Sequence, residues 1–190
     1  MIGVGWFVAA VLALNVVDSD FSRIDNMISE YANGEYGWLM QSAFLGAGIG
    51  TVSIALGLRK RLEPGKLATV SVVLLFAAGV GFFLALGRTN GWLHLIGSVI
   101  VFFAILFAVW TLRSVFRRHR SWEQLAKTQI WFAVAYTVAL IVLFGTLDGP
   151  GGLTQRISVL VMMGWLITLA WNIQRHDSTT QVAEHQPPHA

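Results

Sequence analysis

Long apolar runs separated by short polar segments make up most of this chain. Six runs fit a membrane-spanning helix, which needs about 20 mainly apolar residues within a range of about 17 to 25. They cover residues 1–17, 36–58, 67–87, 92–112, 130–147 and 153–173. In hydrocarbon, backbone polar groups must be paired inside the segment, so every run is expected to be a helix. The pattern predicts an all-α, polytopic membrane protein with a single bundle of six transmembrane helices.

The basic residues concentrate in alternate connections between these runs. Ten of the 13 lie between the second and third runs, around the connection between the fourth and fifth, or after the sixth: Arg59, Lys60, Arg61, Lys66, Arg113, Arg117, Arg118, Arg120, Lys127 and Arg175. Connections rich in Lys and Arg stay in the cytoplasm. Both termini are therefore predicted to be cytoplasmic, in a multi-pass protein of the inner (plasma) membrane.

The composition also favours lipid as the surrounding solvent. Hydrophobic residues make up 55% of the chain and charged residues 12%, whereas soluble domains carry about 25% charged residues. The chain has no cysteine, which excludes disulfides, thiolate nucleophiles and cysteine-based metal sites. No basic stripe with interleaved aromatic residues is present, so no nucleic-acid partner is predicted.

The apolar pattern ends near Arg175. We predict a six-helix transmembrane domain over residues 1–175 and a disordered cytoplasmic tail over 176–190, "HDSTTQVAEHQPPHA". The first run lacks a basic flank and a cleavage pattern, so we expect an uncleaved helix and leave open whether Met1 is the true start. Gly46, Gly50 and the small residues at 77–81 are expected to let helices approach closely.

Polar side chains near the predicted outer ends of the helices are the main functional signal. Such groups are costly in a membrane and often mark functional sites. The candidates are Ser29, Glu30, Tyr31, His94, Asp148, Gln155 and Arg156, with Ser98 on the same helix face as His94. Because they lie at one level of the bundle, we predict that they line a shared outer pocket.

Each candidate also has a structural explanation. Arg156 is expected to pair with Asp148 or Glu30, and His94 to be a hydrogen-bonded structural residue. Asn26 is predicted to cap a short helix over residues 27–32. Gly34 is expected to end that helix in the left-handed conformation that glycine tolerates.

The same residues also offer candidates for catalysis. A catalytic zinc usually has three protein ligands, and His94 is the one histidine in a predicted membrane helix. No metal site and no cofactor are therefore predicted. A pair of Ser29 and His94 would place a base beside a hydroxyl, as nucleophilic catalysis requires. No G-x-S-x-G motif surrounds Ser29, so we favour a protein without enzymatic activity and leave the alternative open.

Three segments, "ISEYANGEYGWLMQSAF", "GWLHLIGS" and "GGLTQRISVL", together resemble the bacterial membrane family catalogued as domain of unknown function 998. The resemblance covers about residues 2–175 and implies a six-helical fold with no established activity. It also implies that the family's recurring polar positions are Ser29, Glu30, His94, Gln155 and Arg156. Family members often carry a loop with Pro and Asp before the helix-four histidine. The corresponding "GRTNG" has no carboxylate, which weakens the case for shared catalysis.

The leading functional hypothesis is binding of a lipid headgroup or small polar ligand in the outer pocket. Arg156 would act as an anion clamp, with His94 and Gln155 as hydrogen-bond partners and Ser29 and Glu30 closing the pocket. The alternatives are a membrane-embedded lipid-modifying enzyme, a small transporter and a structural partner subunit of a membrane complex. Membrane lipid is the expected partner, and a protein partner or homo-oligomer is left open.

Overall fold

Six α-helices and one short 3₁₀ helix form the protein in its computed structural model. The structure describes residues 1–18, 20–87, 89, 91–119, 122–147 and 149–184, with side chains as far as Arg175. The helices are α1 Ile2–Val17, α2 Gly37–Arg61, α3 Lys66–Leu84, α4 Trp92–Phe116, α5 Glu123–Gly145 and α6 Gly151–Glu184, and the 3₁₀ helix is Ile28–Asn33. No strand occurs among the described residues, so the all-α prediction is confirmed.

Five of the helices are long and apolar enough to cross a membrane, by length and composition. They are α2, α3, α4, α5 and the part of α6 over Gly151–Arg175. The apolar helix α1 has 16 residues, about 24 Å at 1.5 Å per residue. That is shorter than the hydrocarbon core of about 30 Å. The protein is therefore a multi-pass membrane protein by its helices, while the six crossings and the orientation of the termini stay predictions.

Helix boundaries depart from the apolar runs mainly at α5 and α6. The fifth run begins at residue 130, but α5 begins at Glu123 because Leu125, Ala126 and Gln129 are buried on one face of an otherwise polar turn. Helix α6 continues past the predicted domain end as far as Glu184. Residues 185–190 of the predicted tail lie outside the described residues, and the division into domain and tail stays a prediction.

Contacts between connections define two ends of the bundle. At one end the Asn33 side chain donates to Thr89, which joins the α1–α2 and α3–α4 connections. At the other end His119 Nδ1 lies 3.9 Å from Glu63 Oε1, and this contact joins the α4–α5 and α2–α3 connections. We call the first the acidic end and the second the basic end. The polar candidates that the structure describes all belong to the acidic end.

Small residues bring neighbouring helices into backbone contact. A Cβ added to Gly3 of α1 would lie 2.2 Å from the carbonyl oxygen of Gly46 in α2. A Cβ added to Gly97 of α4 would lie 2.6 Å from the carbonyl oxygen of Gly81 in α3. The predicted use of small residues for close packing is therefore confirmed for α2 and α3. It also sets the position of α4, which carries His94.

Large apolar side chains cover much of the outer surface of the helices. Leu12, Val16, Trp131, Ile141 and Leu160 are each more than 60% exposed. In water this arrangement would be unfavourable, because burial of apolar surface drives the folding of soluble proteins. Exposed apolar helix faces of this extent are those that hydrocarbon chains would cover.

Candidate functional site

The connection between α1 and α2, residues 18–36, folds over the acidic end and carries Ser29, Glu30 and Tyr31. Its 3₁₀ helix begins after Met27 without a side-chain cap. The predicted capping role of Asn26 is therefore wrong. The Asn26 amide instead donates to Glu30 Oε2 over 2.6 Å, while its oxygen accepts from the Ser22 N–H. Asn26 thus holds the Glu30 carboxylate in place.

Gly34 ends the 3₁₀ helix for a reason other than the one predicted. Its φ is −80°, outside the left-handed region, so the prediction of a left-handed stop is wrong. A Cβ at Gly34 would lie 2.6 Å from Asp18 Oδ2 and 2.7 Å from the Phe21 ring. Close packing against Asp18 and Phe21 therefore requires glycine here. Asp18 is itself buried, and its Oδ2 has no hydrogen-bond partner.

Tyr31 is fully buried and links α1 to α6. Its hydroxyl donates to Asn15 Oδ1 over 3.0 Å and accepts from Arg156 Nη2 over 3.2 Å. The guanidinium carbon of Arg156 also lies 5.7 Å from the centre of the Tyr31 ring, within the range of a cation–π contact. These contacts explain the presence of Tyr31 by its structural role, which is to join α1 to α6.

Arg156 binds backbone carbonyl groups rather than an acidic side chain. Its Nη1 donates to the Asn26 carbonyl over 2.7 Å and to the Gly152 carbonyl over 3.0 Å. Among the described residues it forms no ion pair with Glu30. Asp148, the other expected partner, lies outside the described residues. The arginine therefore fastens the connection to the first turn of α6.

Gln155 is buried at the start of α6, next to the same connection. Its Oε1 accepts from the Ile28 N–H over 2.6 Å. Two residues earlier, the Leu153 N–H donates to the Ile24 carbonyl over 2.9 Å. Backbone groups of the connection therefore pair with two groups of α6: the Leu153 N–H, which has no acceptor within the helix, and the amide oxygen of Gln155. The Nε2 group of Gln155 is left as a donor.

His94 is buried near the start of α4. Its Nδ1 lies 2.8 Å from the carbonyl oxygen of Ala85. A carbonyl can only accept, so Nδ1 carries the proton, and in the neutral ring Nε2 is an acceptor. The ring also meets Phe44 edge to face with centroids 5.8 Å apart. The expectation of a hydrogen-bonded histidine is confirmed.

A cavity of about 330 Å³ opens at the acidic end between α4, α5, α6 and the connection. We call it the polar cleft. Its polar lining is formed by Ser29, Glu30, Thr89, His94, Ser98 and Gln155. Its apolar lining comes mainly from α4, from α5 and from the segment just after α5, with Leu95, Val99, Phe102, Leu143, Phe144 and Leu147, and Met27 of the connection completes it. Leu95, Val99, Phe144 and Leu147 are also exposed on the outside of the bundle.

A smaller cavity of about 40 Å³ lies beside the polar cleft, toward the centre of the bundle. The two share Ser29, Ser98, Phe102 and Gln155. The rest of the small cavity is mainly apolar, with Phe7, Phe44, Phe82, Val101 and Met162 among its lining residues. In the described part of the chain, polar lining is therefore concentrated at the mouth of these cavities.

The structure thus divides the predicted site residues into two groups. Ser29, Glu30, His94 and Gln155 line one cavity. Tyr31 and Arg156 are not among its described lining residues and hold the connection instead. Ser29 and His94 share the cleft without a hydrogen bond between their described side chains. No group of three or more His, Asp or Glu residues among those described is placed to hold a metal.

A second buried polar cluster was missed by the sequence analysis. Gln129 of α5 donates to the Val109 carbonyl of α4 and accepts from Trp165 Nε1 of α6, each over 3.0 Å. The residue precedes the fifth apolar run, so the pattern had placed it outside the helix. Both amide atoms are satisfied within the protein, which fits a structural link among three helices.

The chain matches the family described as "Protein of unknown function (DUF998)" over residues 1–172, and it belongs to this family. No curated protein and no solved structure matches it. The resemblance found in the three sequence motifs is therefore confirmed. The description of the family names no activity, so function has to be argued from the residues themselves.

Proposed function

We propose that this DUF998 protein is an inner-membrane protein that binds a lipid headgroup or small polar ligand in the polar cleft. In this proposal α1 is a sixth crossing, and both termini are cytoplasmic. The topology is supported by the concentration of basic residues at one end of the bundle, since such connections stay in the cytoplasm. The cleft then faces the outer leaflet.

The observation that carries the proposal is the mixed lining of the cleft. Four polar residues, Ser29, Glu30, His94 and Gln155, meet there although they come from the connection, α4 and α6. The opposite lining is apolar and continues onto the exposed surface of α4 and α5. A ligand with a polar head and an apolar chain matches both parts, because the chain would remain in hydrocarbon.

The hydrogen-bonding groups that line the polar cleft indicate which polar head group of a ligand would bind there. Glu30 is an acceptor when ionised, and His94 presents Nε2 as an acceptor in its neutral form, because Nδ1 donates to Ala85. Gln155 contributes its NH₂ group, since its oxygen is occupied by Ile28. Two acceptors and a carboxylate charge favour a head that carries N–H or O–H donors, such as a primary ammonium or a hydroxyl group.

Arg156 has a different role in this proposal from the anion clamp expected from sequence. Its two Nη atoms are engaged by two carbonyl groups and the Tyr31 hydroxyl. It therefore acts as a positioning residue that holds Ser29 and Glu30 over the cleft. The charge nearest the ligand is that of Glu30.

The test is retention of native lipid by the full chain. The protein is extracted from membranes in mild detergent, and bound lipids are identified by native mass spectrometry. Wild type is expected to retain a lipid that Glu30→Gln loses, because removal of a charged hydrogen-bond acceptor costs about 1.5–3 kcal/mol. Glu35→Gln is the matched control, since Glu35 is exposed at the same end and is not among the described lining residues. Equal retention by all three proteins would overturn the proposal.

A lipid-modifying enzyme is the second candidate, because Ser29 and His94 line the same cleft. Catalysis would need His94 Nε2 to accept the Ser29 proton, and a closer approach of the two side chains than the present structure has. Conversion of added lipid by wild type, with loss of conversion in Ser29→Ala, would replace the binding proposal by this one.

A further inference from the structure

A second large cavity lies at the basic end, between the end of α4 and the beginning of α5. Its volume is about 690 Å³, and we call it the basic cavity. Arg113, Arg117, Arg118, His119 and Lys127 contribute to its lining. It is separate from the polar cleft, and none of the residues discussed above as ligand-binding candidates belongs to its described lining.

The basic cavity has an excess of positive charge. Glu123 is the one acidic residue in its described lining, and it lies 2.9 Å from Lys127. Three arginines, Arg113, Arg117 and Arg118, are not balanced by an acid within that lining. Like charges held close together repel, and an anion placed among them would relieve this repulsion.

Arg113 adds a half-buried guanidinium to this lining. It lies in the last turn of α4, where the negative end of the helix dipole favours a cation. A phosphate oxygen suits a guanidinium because the two groups form charge-assisted hydrogen bonds.

The remaining described lining of the basic cavity is apolar. Ala126 and Ile130 line the cavity on the α5 side, and Ile130 is followed by Trp131, which is 75% exposed. Exposed tryptophan is typical of the interface between headgroups and hydrocarbon. The cavity therefore lies at the depth where a phospholipid has its phosphate.

We propose that the basic cavity binds the phosphate of an anionic phospholipid, with Arg113, Arg117 and Arg118 as its ligands. The acyl chains extend along α5 past Ile130. This site is independent of the polar cleft, which selects a donor-bearing head rather than an anion. The protein would then hold one lipid at each end of the bundle.

The experiment titrates the delipidated full chain with phosphatidylglycerol and, in a separate arm, with inorganic phosphate. Binding is followed by native mass spectrometry. Arg117 and Arg118 are exposed, so the Arg117→Gln/Arg118→Gln variant tests the site without disturbing the core. Affinity for phosphatidylglycerol is expected to fall roughly fivefold for each arginine removed. Lys60→Gln removes an exposed charge from the last turn of α2, at the same end of the bundle, and is expected to leave affinity unchanged.

Three results would overturn the proposal. The first is unchanged affinity in the double variant. The second is an equal loss in Lys60→Gln, which would show attraction to the basic end as a whole. The third is displacement of phosphatidylglycerol by inorganic phosphate at an equal concentration, which would make the site one for free phosphate.

Discussion

Gln155 and Ile28 are 127 positions apart in sequence and joined by a hydrogen bond of 2.6 Å between Gln155 Oε1 and the Ile28 N–H. Both residues are buried. The bond fixes the 3₁₀ helix against the beginning of α6, and Ser29 and Glu30 follow Ile28 directly. It therefore couples the stability of the fold to the geometry of the polar cleft.

Replacing Gln155 by methionine tests this coupling. Gln155→Met keeps the length of the side chain but leaves the Ile28 N–H without an acceptor. A buried unpaired donor costs about 1–3 kcal/mol, so the free energy of unfolding should fall by that amount. Gln41→Met, at a half-buried position of α2, is the control and should change it by less than about 0.5 kcal/mol. Equal effects on denaturation would show that the bond contributes nothing.

Arg156 and Tyr31 are expected to act as one unit. Arg156→Met removes three hydrogen bonds, and should lower the free energy of unfolding by about 2–4 kcal/mol. Tyr31→Phe removes only the hydroxyl and should cost about 1 kcal/mol. In a double-mutant cycle the combined loss should be smaller than the sum, with a coupling of about 0.5–3 kcal/mol. Additive losses would mean that the two side chains do not support each other.

Gly97 should be intolerant of a side chain. A Cβ there would lie 2.6 Å from backbone atoms of Gly81 and Ala85, so α3 and α4 would have to separate. Gly97→Ala is expected to cost about 1–3 kcal/mol, as overpacking of a well-packed core does. It should also weaken the hydrogen bond between His94 and Ala85.

Gly5→Ala is the matched control, because a Cβ at Gly5 of α1 would have no neighbour within 4 Å. Alanine favours a helix over glycine by about 1 kcal/mol, so this variant should be as stable as wild type or slightly more stable. Thermal unfolding of both variants in the same detergent measures the difference. Equal destabilisation would contradict the close approach of α3 and α4.

The sequence was sufficient for the helices and for four of the seven candidate residues that line the cleft, while their binding of a ligand stays a prediction. Long apolar runs indicate which segments lie in lipid, and the distance of a residue from the end of its run indicates its depth in the membrane. Ser29, Glu30, His94 and Gln155 could therefore be grouped before their contacts were known. Two helix ends were exceptions, because α5 buries Leu125 and Ala126 within polar first turns and α6 continues through a polar sequence as far as Glu184.

The roles of the same residues could not be predicted, because they depend on the path of an irregular connection. Arg156 was expected to meet an acid, but residues 18–36 place the Asn26 carbonyl and the Tyr31 hydroxyl beside it. Carbonyl groups carry no sequence signal, since every residue has one. The packing of Gly34 against Asp18 also depends on the path of this connection, so the sequence could not predict it. The "NG" pair predicted a left-handed helix end instead.

The most direct test of the account compares two lipids that differ in one group. Delipidated protein is titrated with short-chain phosphatidylethanolamine and phosphatidylcholine, which share chains, phosphate and net charge. Only the former has N–H donors in its head. We predict at least roughly tenfold tighter binding of phosphatidylethanolamine, since a hydrogen bond to a charged group contributes about 1.5–3 kcal/mol. The preference should disappear in Glu30→Gln and persist in Glu35→Gln. Equal affinities in wild type, or a preference that survives Glu30→Gln, would contradict a donor-selective polar cleft.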